Sequence, residues 1–487
     1  MDNLQIYNTL TRRKDKFTPL QAGFVGIYVC GPTVYSHSHL GHAKSYISFD
    51  VIVRYLRYLG YRVRYVQNIT DVGHLLGDFQ EGEDRIEKQA RLENLEPMEI
   101  VETYARSYFE DMDRLGVIRP NISPRASGHI VEQIEMTRIL LQKGYAYQTG
   151  GNVYFDISKF PEYGKLSGRK LEELEAGVRI EVAQDKKHAA DFALWKAADA
   201  RHLMQWTSPW GSGYPGWHME CSCMSTKYLG QTFDIHGGGL ENVFPHHECE
   251  IAQSECAFAQ PFVRYWIHNN MITINGVKMS KSLNNFISIK DALHRYNAQA
   301  IRYFILTSHY RSPVDFSDQA LAAAEKGLKK LQVAIARIRQ AINDQADVKK
   351  AAAEGLSVER YVSAFRAAMD DDFNTPQAIA AVFDLITEVN KRLDTQDHLP
   401  AKNDLIQLEE ILKQTVGDVL GIFPVREGVG IKVSEKLSAV MELVLDLRLE
   451  LRKDKKFELS DQVRKRLEKA GIQIKDTRAG STWQSEE

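Results

Sequence analysis

The sequence predicts an α/β protein: a Rossmann-type parallel sheet split by an insertion, then a helical region and a small terminal unit. Three observations lead there. Phe24–Val29 (FVGIYV) is a short apolar run. Ala43–Leu59 carries Tyr46, Phe49, Val53 and Leu56 at helical spacing, and Arg62–Ile69 (RVRYVQNI) alternates like a strand. Strand, glycine-containing loop, helix, strand is the βαβ unit of a parallel sheet, whose ligand crevice lies at the carboxyl ends of its strands.

The remaining elements follow in order. Residues 78–110 are highly charged and read as helical. From about 115 to 215 the texture changes to short strands and turns, with "EYGKLSG" and "SPWGSGYPGW", which reads as an insertion. The α/β pattern resumes near Phe233-Asp234-Ile235-His236 and runs through Phe262–Met271. Beyond about 295 the chain is helical: Leu321, Ala324, Leu328, Leu331, Ile335, Ile338 and Ile342 form one apolar stripe. Asn374-Thr375-Pro376 looks like a helix start, with Thr375 capping and Pro376 in the first turn. The expected domains are 1–114 with 216–294, an insertion at 115–215, a helical domain at 295–425, a linker at 426–434 and a terminal domain at 435–487.

The totals narrow the function classes. A chain of 487 residues exceeds one ordinary core. No apolar run approaches a membrane span, and MDNLQIYNTLTRRKDKF has no apolar stretch after its charges, so no membrane partner and no signal peptide are expected. Net charge is −2, so a nucleic-acid partner needs a local basic patch. Five cysteines, an odd and sparse set, read as reduced thiols of a cytoplasmic protein, some of them candidate metal ligands.

Three constellations carry chemistry. "CGPTVYSHSHLGH" (Cys30–His42) ends in His39-Leu40-Gly41-His42 at a strand-to-helix turn. There a glycine lets a nucleotide approach the backbone, helix N–H groups face an anion, and two histidines can stabilise charge growing on a phosphate oxygen. Alone, this pattern is a common loop. The second constellation is Lys278-Met279-Ser280-Lys281-Ser282, lysines on a loop that can meet a polyphosphate. The third gathers Cys30, Trp217-His218-Met219-Glu220-Cys221-Ser222-Cys223 and His246-His247-Glu248-Cys249-Glu250. His246 and Glu250 share a helical face, and Cys249 lies near it; Cys221 and Cys223 share a face if their stretch is a strand. Mixed S, N and O donors of this kind suit a tetrahedral zinc, but spacing leaves the ligand set open.

HxGH followed by KMSKS after an α/β half resembles the paired signature of class I aminoacyl-tRNA synthetases. One family fits best. "YVCGPTVY", "YLGYRVRYVQNITDVGH", "YGKLSGR", "DFALWK", "GWHMECS", "FDIHGGG", "FPHHECEIAQSE", "KMSKSLNN", "SHYRSPVDFS", "DDFNTP" and "GIQIKDTRAGSTW" are similar to cysteinyl-tRNA synthetases, in order, from about residue 24 to 483. The resemblance implies a catalytic domain split by an insertion, a helical domain and an anticodon-binding domain. It implies one zinc per chain on Cys30, Cys221, His246 and Glu250, and Mg²⁺ with ATP. It places His39, His42, Lys278 and Lys281 in catalysis, and Gly41, Gly237 and Gly238 with the histidines and Lys281 on ATP. Thr70, Trp217 and His236 would line the cysteine pocket. Arg452, Asp461 and Asp476 would meet anticodon bases, near residues 448–469 with their nine basic and five acidic side chains. The implied partners are L-cysteine, ATP and tRNA(Cys), and the implied state is a monomer.

The zinc has a physical reason. A plain pocket separates near-isosteres such as serine and cysteine by only about 10–200-fold. A soft metal binds a thiolate far better than a neutral hydroxyl. One departure stands out. Many family members continue "NITD" with two acidic residues and a lysine, whereas this chain reads Asp71-Val72-Gly73-His74-Leu75-Leu76-Gly77-Asp78.

Overall fold

Four parallel strands position everything that follows. β1 (Phe24–Val29) runs into α1 (Leu40–Tyr58), which returns to β2 (Arg62–Gln67). Past the insertion, α2 (Met219–Leu229) leads to β3 (Phe233–Gly239), and α3 (His246–Phe258) leads to β4 (Val263–Asn269). The sheet order is β4-β3-β1-β2 with every pair parallel. The chain leaves β1 toward β2 on one side, while β3 pairs on the other. That is a topological switch point, and its crevice opens outside the carboxyl ends of β1 and β3. Cys30 follows β1 directly, and His236 to Gly239 close β3.

The computed structural model describes residues 3–72, 84–170, 186–199, 202–216, 218–279, 285–344, 358–394, 400–423, 430–454, 456–469, 472–477 and 480–485. The chain divides into two units, Met1–Phe423 and Pro424–Glu487.

β1 is an apolar run because both of its faces are covered: Val25, Ile27, Tyr28 and Val29 are fully buried. α1 begins three residues before the periodic stretch, at Leu40, because His39 caps it. β2 stops at Gln67, two residues short of the alternating run. The insertion holds the helix Ile130–Gln142 and five antiparallel strands. Their spatial order is Ala146–Thr149, Asn152–Phe155, Phe192–Ala197, Gly211–Pro215 and Trp206–Ser208. Its own core gathers Leu140, Val153, Phe155, Leu194 and Trp195 with Met219, Cys223, Cys249 and Cys256 of α2 and α3. Those two helices therefore face the parallel sheet on one side and the insertion on the other.

Four longer helices follow: α4 (Asp318–Asp344), α5 (Val358–Asp370), α6 (Thr375–Asp394) and α7 (Lys402–Leu412). On α4 the apolar stripe is buried at Leu321, Ala324, Leu328, Leu331 and Ile338. The expected cap of α6 moves one residue upstream. Thr375 is already helical, and Asn374 Oδ1 accepts from Gln377 N at 3.3 Å. An asparagine side chain reaches the free N–H groups of a first turn as well as a threonine does.

Two buried polar joints tie this helical part to the sheet. Asp372, in left-handed backbone at φ 60°, accepts from Tyr7 N (2.8 Å), Tyr310 Oη (2.7 Å) and Arg311 Nε (2.6 Å). Asp50 on α1 pairs with the fully buried Arg302 and accepts from Arg54 Nε and Ile118 N, each at 2.8 Å. Arg302 Nε also donates to Leu420 O at 2.8 Å. The second unit holds α8 (Gly430–Lys453), α9 (Phe457–Lys469) and a hairpin of Ile472–Thr477 with Gly480–Ser485. Of the expected 426–434 linker, 426–429 lie outside the described residues, and α8 starts at Gly430. Among the described residues, no helix is long and apolar enough to cross a membrane.

Candidate active site

At the switch point, four donors converge. Cys30 Sγ lies 3.1 Å from His247 Nε2 and 3.9 Å from Glu250 Oε1, and His236 Nε2 lies 2.7 Å from Glu250 Oε2. One ligand atom from each of these four residues falls within 4.8 Å of all the others. Cys221, on the first turn of α2, stands beside Cys30 close enough for their thiols to share a hydrogen bond. Behind the group, His247 Nδ1 contacts His268 Nε2 at 2.8 Å, and His268 Nδ1 contacts Thr9 Oγ1 at 2.8 Å. Such outer partners fix which ring nitrogen faces inward.

Local structure decides which candidates meet. Cys30 and Glu250, two of the expected ligands, are in the group. His246 instead places Nδ1 3.0 Å from His218 Nδ1, and the adjacent His247 faces Cys30. Both histidines lie within one turn of Glu250, at i−4 and i−3, so spacing admits either. α2 is a helix rather than a strand, so Cys221 and Cys223 diverge. Cys221 turns to Cys30, and Cys223 Sγ lies 3.5 Å from Glu132 O in the insertion core. Cys249 is also buried there, 3.4 Å from Tyr163 Oη.

The electrostatics of the group point to a cation. The neighbouring Cys221 thiol, then burial, hold the Cys30 thiol well above its ordinary range. Burial raises Glu250 strongly and pushes Glu220 up to about 8. Burial also lowers His236 to about 3 and His246 to about 4, and holds His247 well down, so these imidazoles stay neutral. Acids that resist ionising and neutral imidazoles, packed together, are a donor set that a divalent cation would satisfy. The residues therefore fit a metal.

The same loop builds the second half of the site. His39 Nδ1 accepts from Gly41 N at 3.1 Å, and His42 Nδ1 accepts from His39 N at 3.2 Å. This is a capping box made of two histidines, their rings stacked 3.9 Å apart. Because each Nδ1 accepts, each ring's proton sits on Nε2. Burial, with His39 beside it, holds His42 well below its ordinary range. A Cβ at position 41 would stand 2.8 Å from the His39 ring, so the stacked pair needs this glycine. The histidines line a cavity of about 290 Å³ together with Pro32, Tyr35, Arg85, Met279 and Phe286. Met279 belongs to the lysine motif and Phe286 follows it, and Leu40 N donates to Ile287 O at 3.2 Å. The two distant motifs thus border one cavity. Lys278 is exposed at the end of a short strand, Val277–Lys278. Lys281 and Trp217 lie outside the described residues.

Thr70 is buried and accepts from Asn68 Nδ2 at 2.9 Å. Asp71 is fully buried and takes Ser127 N at 2.8 Å and Ser127 Oγ at 2.6 Å. The rest of the departing segment, 73–83, is outside the described residues. Gly237 and Gly238 give their space to protein: a Cβ would lie 2.2 Å from the Phe49 ring and 2.7 Å from Asn242 Nδ2, respectively. In the second unit, Arg452 and Asp461 are exposed on α8 and α9, and Asp476 pairs with Ser481 across the hairpin. Sequence reasoning named His247 only within the donor-rich stretch, not as an expected ligand, and did not reach the His268–Thr9 chain behind it. The His246-His247 doublet was the available signal for the first.

The model of the class I (C) tRNA synthetase catalytic domain matches residues 16–326, and that of the DALR domain matches 364–424. The cysteine--tRNA ligase of Chlorobium chlorochromatii is 54% identical over 484 residues, 99% of each chain. That of a Thermus thermophilus strain is 48% identical over 490 residues, again 99% of each. Mycobacterium tuberculosis methionyl-tRNA synthetase in complex with methionyl-adenylate shares the fold at 14% identity. Its TM-score is 0.58, covering 81% of this chain and 89% of that one. With identity near one half running the length of the chain, this protein belongs to the cysteine--tRNA ligase family.

Proposed function

We propose that the chain activates L-cysteine with ATP and transfers it to the 3′ end of tRNA(Cys), acting as a monomer in the cytoplasm. One observation carries this reading: the single loop from Cys30 to His42 supplies a thiol to the buried donor group and two histidines to the adjoining cavity. An amino acid held at the first and a nucleotide held at the second would meet along that loop.

In the first step the cysteine carboxylate attacks the α-phosphorus of ATP, the bond to the β-phosphate breaks, and pyrophosphate leaves. In the second, a hydroxyl of the 3′-terminal ribose attacks the adenylate carbonyl, and AMP leaves. Neither step asks for a protein nucleophile; positioning and charge stabilisation suffice. His39 and His42, with Nδ1 committed to the backbone, keep Nε2–H as donors for phosphate oxygens. The start of α1 adds its N–H groups. Lys278, and Lys281 by the family pattern, bring mobile positive charge to the polyphosphate, where Mg²⁺ accompanies ATP.

Cys30, Cys221, Glu250 and an imidazole, His246 by family pattern or His247 by geometry, would hold zinc, with His236 braced against Glu250. Bound there, zinc supplies a soft Lewis acid that prefers a thiolate to a hydroxyl. Thr70, His236 and Trp217 complete the cysteine pocket in this reading, Gly41, Gly237 and Gly238 the nucleotide side. Arg452, Asp461 and Asp476 meet the anticodon.

The test is cysteine-dependent exchange of pyrophosphate into ATP, with serine alongside, followed by charging of tRNA(Cys). Exchange with cysteine, almost none with serine, and charging of tRNA are the expected results. No cysteine-dependent exchange by folded, zinc-loaded protein would overturn the reading.

A further inference from the structure

Two residues past His42, α1 buries a cation that the chemistry above does not use. Lys44 is 1% exposed. Its Nζ donates to Met271 O at 3.2 Å and, by a shorter contact, to Ser312 O. Those carbonyls are the feet of a small sheet. Met271 precedes the strand Ile272–Ile274, and Ser312 lies two residues before the strand Val314–Phe316, which pairs parallel with it. Ile272–Ile274 also pairs antiparallel with Val277–Lys278, the strand that leads into the KMSKS segment. One residue further along α1, Ser45 Oγ donates to Asn269 Oδ1 at 2.9 Å.

We propose that Lys44 is a positioning residue for the activation step, holding the hairpin that carries Lys278 in register with His39 and His42. An ammonium between two carbonyls fixes both feet from one point. A buried cation is a costly way to join two elements, and burial pulls this lysine down to about 8. An apolar side chain would fill the space at less cost, so the donors themselves are what the position requires. Reacting groups displaced by about 1 Å can lose roughly 100-fold in rate.

The inference rests on the proposed activation reaction, and the experiment separates the two. Pyrophosphate exchange is measured for wild type, Lys44→Met, Lys44→Gln and Lys44→Arg, each well below its own melting temperature. Lys44→Met is expected to lower kcat about 30- to 100-fold. KM for cysteine, whose pocket Lys44 does not touch, should move less than about twofold. Lys44→Arg, which restores donors, should recover most of kcat, and Lys44→Gln should fall between. A folded Lys44→Met or Lys44→Gln with wild-type kcat overturns the proposal. So does a parallel loss in cysteine KM, or a failure of every neutral variant to fold, since each marks a purely structural residue. An inactive wild type would instead sink the activation reading itself.

Discussion

The molecule buries ionisable groups in two opposite ways. Around Asp50, Arg302 and Arg54, and around Asp372 and Arg311, each carboxylate has a guanidinium against it. At the end of β1, by contrast, Cys30, Cys221, Glu220 and Glu250 sit together, and the neighbouring side chains that could carry positive charge are imidazoles kept neutral by burial. The first arrangement closes its own electrostatics and so joins elements. The second leaves them open, which disfavours the bare protein and favours whatever cation arrives. The two kinds of cluster thus do different work, and the guanidinium set against each acid of the first, missing from the second among the described residues, separates them.

The comparison breaks most sharply at Arg302. Arg302→Met leaves Asp50 with an incomplete shell and should cost about 3–5 kcal/mol, read from urea unfolding. Glu250→Gln, in chelator-treated protein, should cost nothing or stabilise, because it removes an acid that burial already keeps protonated. If both variants lose equally, the distinction fails.

Metal content sharpens it next. Cys30→Ser and Glu250→Gln should each lower zinc affinity by at least about 100-fold, measured by competition with a chromophoric chelator. His246→Asn and His247→Asn, side by side, identify the imidazole ligand: one should match that loss and the other should fall well short of it.

Lys44 stands between the extremes, a lone buried cation on carbonyl dipoles. Its folded pKa is about 8 against the ordinary 10.5. Between those values the unfolded chain binds more protons, so stability gains with rising pH from about 8 to 10.5, and below 8 the full burial penalty applies. The difference in unfolding free energy between wild type and Lys44→Met should therefore shift in favour of wild type from pH 7.5 to 10. A flat difference would remove Lys44 from this middle class. The smallest effect is expected two residues past Asp372, outside its ion pair: Asn374→Ala at the start of α6 should cost about 1 kcal/mol in the same assay.

What was legible in the sequence was what periodicity and adjacency can carry. The βαβ unit showed because β1 is apolar throughout and α1 repeats every three to four residues. The donor types at Cys30 and in the 246–250 stretch showed because they lie close in sequence. The choice between His246 and His247 did not show, since both lie within one turn of Glu250 and helix rotation settles which faces Cys30. The divergence of Cys221 from Cys223 depended on α2 being a helix, which a stretch of eleven mixed residues does not announce. The joints at Asp372 and Arg302 were invisible, because each pairs residues from separate parts of the chain. "DDFNTP" looked like a helix start and is also the knot that holds Tyr7, Tyr310 and Arg311 together.

The cavity beside His39 and His42 has one wall from residues 32–42 and another from Met279 and Phe286, latched where Ile289 N donates to Ser38 O at 2.9 Å. A chain leaving the ribosome therefore carries its first motif long before the cavity exists. Everything between must be made, and the insertion set aside as a separate core, before the loop can close. Contacts that span so much chain form slowly. Once they have formed, any ligand that needs both walls binds only the folded chain and stabilises it by mass action. Whatever fills that cavity is, in that sense, also a contributor to the fold that made it.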